Sequence, residues 1–436
     1  MTKTFKYWQW RTIFATMIGY AIFYFVRKNF SFAIPGLTAE YGISKTSFGI
    51  IMTLVTVVYG ASRFLNGYLA DRFNARYHMA IGLLLCAAAN YAFGFGADLS
   101  YLITGESSGP QFVNTMVFIF GLFLLLNNLF QGSGFPPCNR LLTHWIPANE
   151  LATKMSIWNT SHSIGASIVA ILCGYIMATM GHGAWKWCFW IPATIALVGA
   201  IGIYIFLRDT PSSVGLPELH TINKKGKEGG AEYKAFLRKM VFRNKWIWIL
   251  AIANFMVYIV RFAVLDWGPT FLKEARGMSL ANAGWTVAIF EIFGIIGMIV
   301  SGWLTDHVFK GKAHRTCFWF MAGVAVFMTI FVSLPAGTSM PVMVVVLAMA
   351  GFFIYGPQAL IGINRAAATA NGLIGMFGYA SGIVSGIGVG MLVDAWGNWD
   401  YVFYGMIGIA VLCVAVFTLM WNAKADGYAE EETAKL

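Results

Sequence analysis

Charged residues are scarce in this sequence, and their absence from long stretches is its dominant feature. Asp, Glu, Lys and Arg make up 11% of the 436 residues, whereas apolar residues make up 58% and the mean hydropathy is +0.66. A typical soluble domain carries about 25% charged residues. The composition therefore excludes an ordinary soluble domain and indicates a protein that lies within a lipid bilayer.

Cysteine is also sparse, and its pattern excludes two kinds of site. The six cysteines form no C-x-x-C pair and fall mostly within apolar runs, so neither a metal site nor a disulfide framework is indicated. The apolar runs lack the alternating polar and apolar residues that a transmembrane barrel requires. The first run is too long for a secretory signal and has no small-residue cleavage site, so we expect it to remain as a membrane span.

Long apolar runs are what the sequence has instead. A helix needs roughly 20 apolar residues to cross the hydrocarbon core of a bilayer. Twelve stretches meet this requirement: 10–35, 47–69, 77–97, 112–135, 154–180, 187–207, 245–272, 282–304, 316–335, 340–362, 366–392 and 400–421. We therefore predict an all-α integral membrane protein with twelve transmembrane helices.

The few charges are distributed unevenly between the loops. The chain has 30 Lys+Arg against 19 Asp+Glu, and the cations gather in alternate loops: before span one, after spans two and eight, between spans four and five, and across 208–245. Cytoplasmic loops carry such an excess of cations, so both termini are predicted to be cytoplasmic in a multi-pass cell (inner) membrane protein. This distribution favours membrane orientation over nucleic-acid binding as the reason for the positive charge.

Two matches at nearly the same offset indicate an internal repeat. Arg27 lies deep in the first span within the pattern Tyr-x-x-Arg, and Arg261 lies in the same pattern 234 positions later. Residues 67–72 (GYLADR) resemble residues 302–307 (GWLTDH), 235 positions later. Such repeated halves of one orientation are the architecture of major facilitator transporters. The predicted division is an N-terminal six-helix half at 1–207, a Gly- and Lys-rich cytoplasmic linker at 208–244, and a C-terminal six-helix half at 245–436.

The two intramembrane arginines predict an anion site. An arginine in a span can extend its stem so that the charge reaches the interface. A matched pair is better explained by function, because intramembrane charges are costly, face the bundle interior and usually mark a substrate path. Two guanidinium groups present forked donors that match phosphate oxygens. Arg27 and Arg261 therefore indicate a phosphate-bearing or other dianionic substrate.

Longer motifs around these residues resemble the organophosphate:phosphate antiporters of the major facilitator superfamily. The resemblance covers nearly the whole chain, and its motifs lie at 24–30 (YFVRKNF), 130–138 (FQGSGFPPC), 158–165 (WNTSHSIG), 257–267 (VYIVRFAVLDW) and 356–362 (GPQALIG). It implies the major facilitator fold with two pseudo-symmetric six-helix halves.

The resemblance also implies an activity. We expect a secondary active transporter that exchanges an organophosphate for inorganic phosphate by alternating access. The favoured organophosphate is a hexose 6-phosphate such as glucose 6-phosphate, and glycerol 3-phosphate comes next. The alternatives are a hexose-phosphate membrane sensor and a proton-coupled organophosphate symporter. We expect no enzyme activity and no cofactor, with organophosphate, inorganic phosphate and the lipid bilayer as partners, no nucleic acid, and a monomer.

Site residues are carried over by position. The resemblance implies that Arg27 and Arg261 are the phosphate ligands and that His162 assists them; alone, a histidine between serines is more often a packing residue. Arg63 stands where these transporters commonly carry lysine. The tyrosines at family positions lining the cavity are Tyr20, Tyr24, Tyr258, Tyr355 and Tyr379.

Three further charges in the spans are candidate site residues. Lys28 follows Arg27 and points about 100° away from it on a helix, so it is expected to support packing rather than to face the same ligand equally. Asp266 and Glu291 are deeply placed carboxylates. They could pair with the arginines, bond a substrate hydroxyl or carry protons, and the sequence leaves these roles open.

The repeated loops are predicted to regulate conformation. Gly67, Asp71 and Arg72 after span two, with Gly302 and Asp306 after span eight, resemble the superfamily's loop signature. Glycine would permit close helix approach, and the charges could bridge the halves. Positive-inside charge alone would explain the arginine but not the repeated glycine and aspartate, so we predict a latch.

Two departures from the family concern span eleven. Some hexose-phosphate exchangers carry Asp and Lys at positions that match Asn371 and Ile374 here, so the chain is not expected to be a close copy of them. Segment 72–76 and Glu291 look more like the hexose-phosphate sensor branch and its transporting relatives. Span ten also runs directly into span eleven at 362–366, whereas antiparallel helices are usually joined by about 2–8 residues. Either this loop is shortened or residues are absent from the sequence.

Overall fold

A computed structural model describes residues 3–147, 154–155, 157–218, 243–335, 337–361 and 368–423. All regular secondary structure in these ranges is helical. Most of the predicted linker and the whole 362–366 junction lie outside the described residues. The fold class expected from the apolar runs is confirmed.

The helices before the linker begin near the N-terminus and end at Phe206. In chain order they are α1 (Lys3–Lys28), α2 (Phe30–Tyr41), α3 (Lys45–Arg72), α4 (Ala75–Gly94), α5 (Gly96–Thr104), α6 (Pro110–Gln131), α7 (Phe135–Trp145), α8 (Ser161–Thr179) and α9 (Ala184–Phe206). A short 3₁₀ turn, Pro211–Val214, follows α9.

The helices after the linker are longer on average. They are α10 (Lys245–Glu274), α11 (Leu280–His307), α12 (Ala313–Ser333), α13 (Met340–Ile361), α14 (Ala368–Ala380), α15 (Val389–Trp396) and α16 (Asp400–Leu419). A π-helical turn, Val384–Gly388, connects α14 to α15, and the indole of Trp267 donates to the Ser385 carbonyl within it at 2.9 Å.

Eleven segments of the described residues are long and apolar enough to cross a membrane. The twelfth predicted span, 10–35, is not among them. It is divided into α1 and α2 at Asn29, and α1 carries cations at both ends, with Lys3, Lys6 and Arg11 at its start and Arg27 and Lys28 in its last turn. The uncharged run between those cations is too short to count as an apolar span by composition, although the helix itself has 26 residues.

Packing divides the chain into two compact units. The first unit is Met1–Ile222 with Gly268–Ala288, and the second is Asn223–Trp267 with Ile289–Leu436. Helices α10 and α11 therefore each contribute residues to both units. These units are defined by packing and the predicted halves by the sequence repeat, so the boundaries of the halves stay a prediction.

Glycine allows helices inside each unit to approach closely. In the first unit a Cβ at Gly165 would lie 2.4 Å from the Ala21 carbonyl oxygen, and in the second a Cβ at Gly297 would lie 1.8 Å from the Phe352 carbonyl oxygen. Neither contact is with a flexible side-chain end, so a larger residue would force the backbones apart. Small residues let membrane helices pack backbone to backbone in this way.

A half-buried ion pair joins helix ends in the first unit. Arg140 on α7 donates to the Ala70 carbonyl at the end of α3 and to Asp209 Oδ2 at 3.1 Å. The other oxygen of Asp209 accepts the Ala75 N–H at 2.8 Å, at the start of α4. The carboxylate thus pairs with a cation and satisfies the first N–H of α4, while the Asn74 side chain accepts from the next two N–H groups.

We expect Asp209→Asn to lower the free energy of unfolding by about 2 kcal/mol, since hydrogen bonds to charged groups contribute about 1.5–3 kcal/mol. Asp98→Asn is the matched control, because Asp98 pairs with Lys186 at 3.0 Å but its side chain is 60% exposed. Exposed pairs contribute at most about 1 kcal/mol. Chemical unfolding in detergent measures both, and equal losses would contradict a stabilising role of the Asp209 carboxylate.

Candidate functional site

Arg27 lies in the last turn of α1, against two tyrosines. Its guanidinium carbon is 3.7 Å from the centre of the Tyr59 ring and 5.5 Å from that of Tyr24. A cation over the face of an aromatic ring is stabilised by the ring quadrupole, more strongly where water is excluded. Tyr59 was not among the predicted site residues. It lies one helical turn before Arg63 on α3, so its position on the same helix face as a predicted site residue could have identified it.

Four other predicted site residues of the first unit are connected to Arg27 through ring contacts. The Tyr24 ring lies 5.6 Å from that of His162 and 5.5 Å from that of Tyr20. The Arg63 guanidinium lies 4.3 Å from the ring of Phe135, which in turn packs 6.2 Å from Tyr20. We call Arg27, Arg63, His162, Tyr20, Tyr24 and Tyr59 the Arg27 cluster.

His162 is buried on the first turn of α8, and its two ring nitrogens have different neighbours. Nδ1 makes a hydrogen bond with the Asn159 carbonyl, and a carbonyl only accepts, so Nδ1 carries a proton. Nε2 lies 3.4 Å from the Ser163 hydroxyl. The backbone contact fixes the orientation of the ring in the Arg27 cluster. This orientation is compatible with both roles that the sequence leaves open for His162, packing and phosphate binding.

Buried amide side chains anchor the break between helices α1 and α2, just after Arg27. Between α1 and α2, Asn29 donates to Asn90 Oδ1 and to the Cys188 carbonyl, both at 2.9 Å. Asn29 and Asn90 are each at most 2% exposed. The junction is therefore anchored to α4 and α9 by specific bonds.

The last carbonyls of α1 are satisfied by neighbouring helices. Asn127 and Asn90 donate to the Val26 carbonyl at 2.7 and 3.2 Å, and Gln131 donates to the Phe23 carbonyl at 3.0 Å. These three amides were not among the predicted site residues. Their signal was available, because buried amides within apolar spans are rare and costly unless they are bonded. They position the backbone of Arg27 rather than supplying charge.

Arg261 is the counterpart in the second unit, and it is 6% exposed. Its NH2 group donates to the Tyr355 hydroxyl at 3.2 Å, and its guanidinium carbon is 4.7 Å from the Tyr355 ring centre and 5.9 Å from that of Tyr258. Tyr258 lies 6.2 Å from Tyr379. Of the residues predicted for this site, these four form one group.

Glu291 joins the same group from α11. It is 1% exposed, and the Tyr355 hydroxyl interacts with both its carboxyl and Arg261. Tyr355 can reach this position because a Cβ at Gly294 would lie 2.5 Å from its ring, so only glycine leaves room there. We call Arg261, Glu291, Tyr258, Tyr355 and Tyr379 the Arg261 cluster.

Two predicted residues are less directly placed. Lys28 is the last residue of α1, and Asp266 lies five residues beyond Arg261 on α10; both are half-buried. Asn371 has no described side chain, whereas Ile374 is buried and its carbonyl accepts from Asn254 at 2.8 Å.

The predicted latch residues lie near the ends of α3 and α11. A Cβ at Gly67 or at Gly302 would meet no atom within 4 Å, so the close helix approach expected at these glycines is not present in this structure. Arg72 is exposed and its guanidinium carbon lies 4.0 Å from the Tyr68 ring. Asp306 is exposed, and the side chain of Asp71 lies outside the described part of the chain.

Comparison with solved structures supports the fold. The structure superposes on a bacterial homologue of the human lysosomal transporter Spinster, in an inward-facing and occupied conformation, with a TM-score of 0.74 and 13% identity; 99% of this chain and 100% of that chain are covered. A D-xylose–proton symporter gives a TM-score of 0.70 at 16% identity, covering 95% and 97%. At these identities the likeness establishes the fold alone.

Similarity in sequence is much higher to curated transport proteins. The chain is 38% identical to the glycerol-3-phosphate transporter of Bacillus subtilis, covering 97% of this chain and 94% of that protein. It is 35% identical to a probable hexose phosphate transport protein of Chlamydia pneumoniae (97% and 93%). It is 32% identical to the membrane sensor protein UhpC of Escherichia coli (95% and 92%).

The helical fold and its apolar spans define a multi-pass membrane protein of the major facilitator type. The family model described as Major Facilitator Superfamily matches residues 16–367. The chain belongs to that superfamily and, within it, to the organophosphate:phosphate antiporter family.

Proposed function

We propose that this protein is a secondary transporter that exchanges an organophosphate for inorganic phosphate by alternating access. The observation that carries the proposal is an arginine on an aromatic platform in each unit, the half-buried Arg27 on Tyr59 and the buried Arg261 on Tyr355. Its relatives named as glycerol-3-phosphate and hexose phosphate transporters support the substrate class. A hexose 6-phosphate is the favoured substrate, and glycerol 3-phosphate is the next.

The arginine–tyrosine arrangement suits a phosphate group. A ring that contacts the face of a guanidinium leaves the N–H groups at its edge, where they form the fork that matches phosphate oxygens. The contact also orients the fork, so less rotamer freedom is lost on binding. In this proposal Arg27 and Arg261 bind phosphate oxygens, and His162, Arg63 and the tyrosines of the two clusters bind or orient the rest of the ligand.

Exchange follows from the electrostatics of the two arginines. Each guanidinium costs desolvation free energy when the carrier closes, and a bound phosphate dianion offsets that cost. An empty carrier would have to close around the two cations without the dianion, whereas a loaded one would not. Reorientation is therefore expected to require a bound phosphate species, which couples entry of one ligand to exit of another.

An exchange assay tests this function. Proteoliposomes loaded with phosphate should take up labelled glucose 6-phosphate, glycerol 3-phosphate or phosphate, with glucose 6-phosphate fastest, and most of this uptake should disappear when the vesicles contain no phosphate. Protein-free vesicles are the control. Strong uptake into phosphate-free vesicles would exclude obligatory exchange, and no uptake of any of the three compounds would exclude the transport proposal.

A sensor is the second candidate, and the relative named as a membrane sensor protein favours it. A sensor would bind hexose phosphate without turnover. Binding measured by calorimetry together with absent counterflow in the same preparation would favour the sensor over the exchanger.

A proton symporter is the third candidate, because Glu291 is a buried carboxyl linked through Tyr355 to Arg261. We propose that Glu291 instead supplies counter-charge for Arg261. Glu291→Gln should then retain phosphate-dependent exchange, and its substrate uptake should cause no external alkalinisation in either the wild type or the variant. Substrate-driven alkalinisation that the variant loses would favour proton coupling; Asp266→Gln tests the second carboxylate.

The latch, orientation and oligomeric state complete the proposal. Gly67, Asp71, Arg72, Gly302 and Asp306 are proposed to act in another conformation of the transport cycle. Both termini are proposed to be cytoplasmic in the inner membrane, as the loop charges predict. The transporter is proposed to be a monomer.

A further inference from the structure

Three arginines surround the C-terminus of α9, on the face that the loop charges predict to be cytoplasmic. Arg11 donates to the Phe206 carbonyl at 3.0 Å, Arg76 to the Tyr204 carbonyl at 2.5 Å, and Arg208 to the Ile205 carbonyl at 3.0 Å. They come from three separate places, α1, α4 and the segment after α9. We call them the arginine triad.

The triad carries more positive charge than its surroundings balance. Among the described residues no carboxylate forms an ion pair with any of the three. The end of a helix contributes only about half a negative charge. Burial, together with the neighbouring Arg76 and Arg11 charges, lowers the pKa of Arg208.

The surface around the triad is aromatic and partly exposed. Arg11 lies 4.5 Å from the Trp8 ring and 5.3 Å from the Phe206 ring, and Arg76 lies 4.4 Å from the Tyr204 ring. Tyr204 and Phe206 are 48% and 53% exposed. Exposed Trp and Tyr beside cations are typical of the level at which lipid headgroups lie.

An apolar cavity of about 550 Å³ borders the same surface. It is lined mainly by side chains of α3, α4 and α6, including Leu65, Leu69, Ile81 and Leu85. Tyr77 belongs to both features, because it lines the cavity and its ring lies 5.8 Å from that of Tyr204 beside Arg76. A cationic group and an apolar recess thus adjoin at one tyrosine.

We propose that the arginine triad and this cavity form a binding site for an anionic phospholipid of the cytoplasmic leaflet. The headgroup phosphate is bound by Arg11, Arg76 and Arg208, and part of an acyl chain occupies the cavity. Basic groups between membrane helices on the cytoplasmic side bind phospholipid headgroups in this manner. The apolar recess distinguishes a lipid from a soluble phosphate, which would need only the cations.

The site is tested with purified full-length protein, by native mass spectrometry and by titration with phosphatidylglycerol or phosphatidylcholine. We expect phosphatidylglycerol to remain bound to the wild type and phosphatidylcholine to dissociate. Combined Arg11→Gln, Arg76→Gln and Arg208→Gln should weaken phosphatidylglycerol binding at least tenfold. Glutamine keeps a donor for the α9 carbonyls, and the three single variants, each expected to weaken binding two- to fivefold, serve if the combined variant does not fold.

A matched control removes the same charge elsewhere on the predicted cytoplasmic face. Lys3, Lys6 and Lys310 are exposed, and their combined replacement by Gln should leave phosphatidylglycerol binding within twofold of the wild type. An equal loss in this control would show general charge attraction and overturn the site. Retained binding in the triad variant would also overturn it.

Two further measurements distinguish binding of a lipid from binding of a soluble anion. Leu85→Trp fills the cavity while leaving all three arginines, and it should weaken phosphatidylglycerol binding at least threefold. Inorganic phosphate at millimolar concentration should not displace the lipid. Displacement by phosphate, together with unchanged binding in Leu85→Trp, would assign the triad to a soluble anion and contradict the proposal.

Discussion

Arg27→Lys and Arg261→Lys are each expected to lower the rate of phosphate exchange at least tenfold while the protein remains folded. Lysine keeps the charge but replaces the fork with a point charge, so at least one charge-assisted hydrogen bond to phosphate is lost. Such a bond contributes about 1.5–3 kcal/mol, and about 1.4 kcal/mol corresponds to tenfold in an equilibrium constant. Initial rates in phosphate-loaded proteoliposomes measure the effect.

Arg315→Lys is the matched control for this pair. Arg315 also contacts an aromatic residue, with its guanidinium carbon 4.8 Å from the Trp421 ring, and it donates to the Trp421 carbonyl at 3.2 Å. It belongs to neither cluster, so exchange should stay within about twofold of wild type, as is usual for residues outside a site. Near-normal exchange in Arg27→Lys or Arg261→Lys would contradict the phosphate site.

The two arginines are expected to contribute differently to substrate selection. Arg27 is half-buried on the rings of Tyr59 and Tyr24, whereas Arg261 is buried and connected through Tyr355 to the Glu291 carboxyl. A nearby carboxylate reduces the net attraction for a dianion and offers an acceptor for a hydroxyl group. The second unit is therefore the better candidate for distinguishing one organophosphate from another.

Much of the fold was predictable from apolar runs and charges. Eleven segments have spanning length, and the first span was less clear because cations at both its ends shorten its apolar core. The same physics made the arginines visible, since a charge in an apolar run is conspicuous wherever it lies. The break at Asn29 was not predictable, because its sequence contains no feature that requires a helix to stop.

The parts that sequence reasoning missed are those that depend on contacts between distant segments. Tyr59 meets Arg27, and Tyr355 fits against Gly294, only after α3 packs by α1 and α13 by α11. Gly67 and Gly302 show the opposite case: the repeat suggested close packing, yet both positions are open here. A glycine in a sequence permits close approach without specifying where it occurs.

Asn127→Leu should lower the free energy of unfolding while leaving every charge in place. Asn127 is 2% exposed and donates to the Val26 carbonyl at 2.7 Å, one residue before Arg27, and it accepts from Asn90 at 3.1 Å. Leucine has the same branched shape, with larger methyl groups in place of the amide oxygen and nitrogen, and it neither donates nor accepts, so polar groups of α1 and α4 each lose one partner. Each of the two lost hydrogen bonds is expected to cost about 0.5–1.5 kcal/mol, since the Val26 carbonyl still accepts from Asn90.

Asn128→Leu is the matched control on the next residue of α6. Asn128 is also buried, but its amide donates only to the Leu124 carbonyl of its own helix at 2.9 Å, a group that already belongs to the helical hydrogen-bond ladder. Chemical unfolding in detergent should therefore show a loss of about 2 kcal/mol for Asn127→Leu and below about 1 kcal/mol for Asn128→Leu. Because Asn127 supports the backbone that carries Arg27, exchange should fall in the first variant even under conditions where it remains folded. Equal stability of the two variants, or full exchange in Asn127→Leu, would show that the amides do not position Arg27.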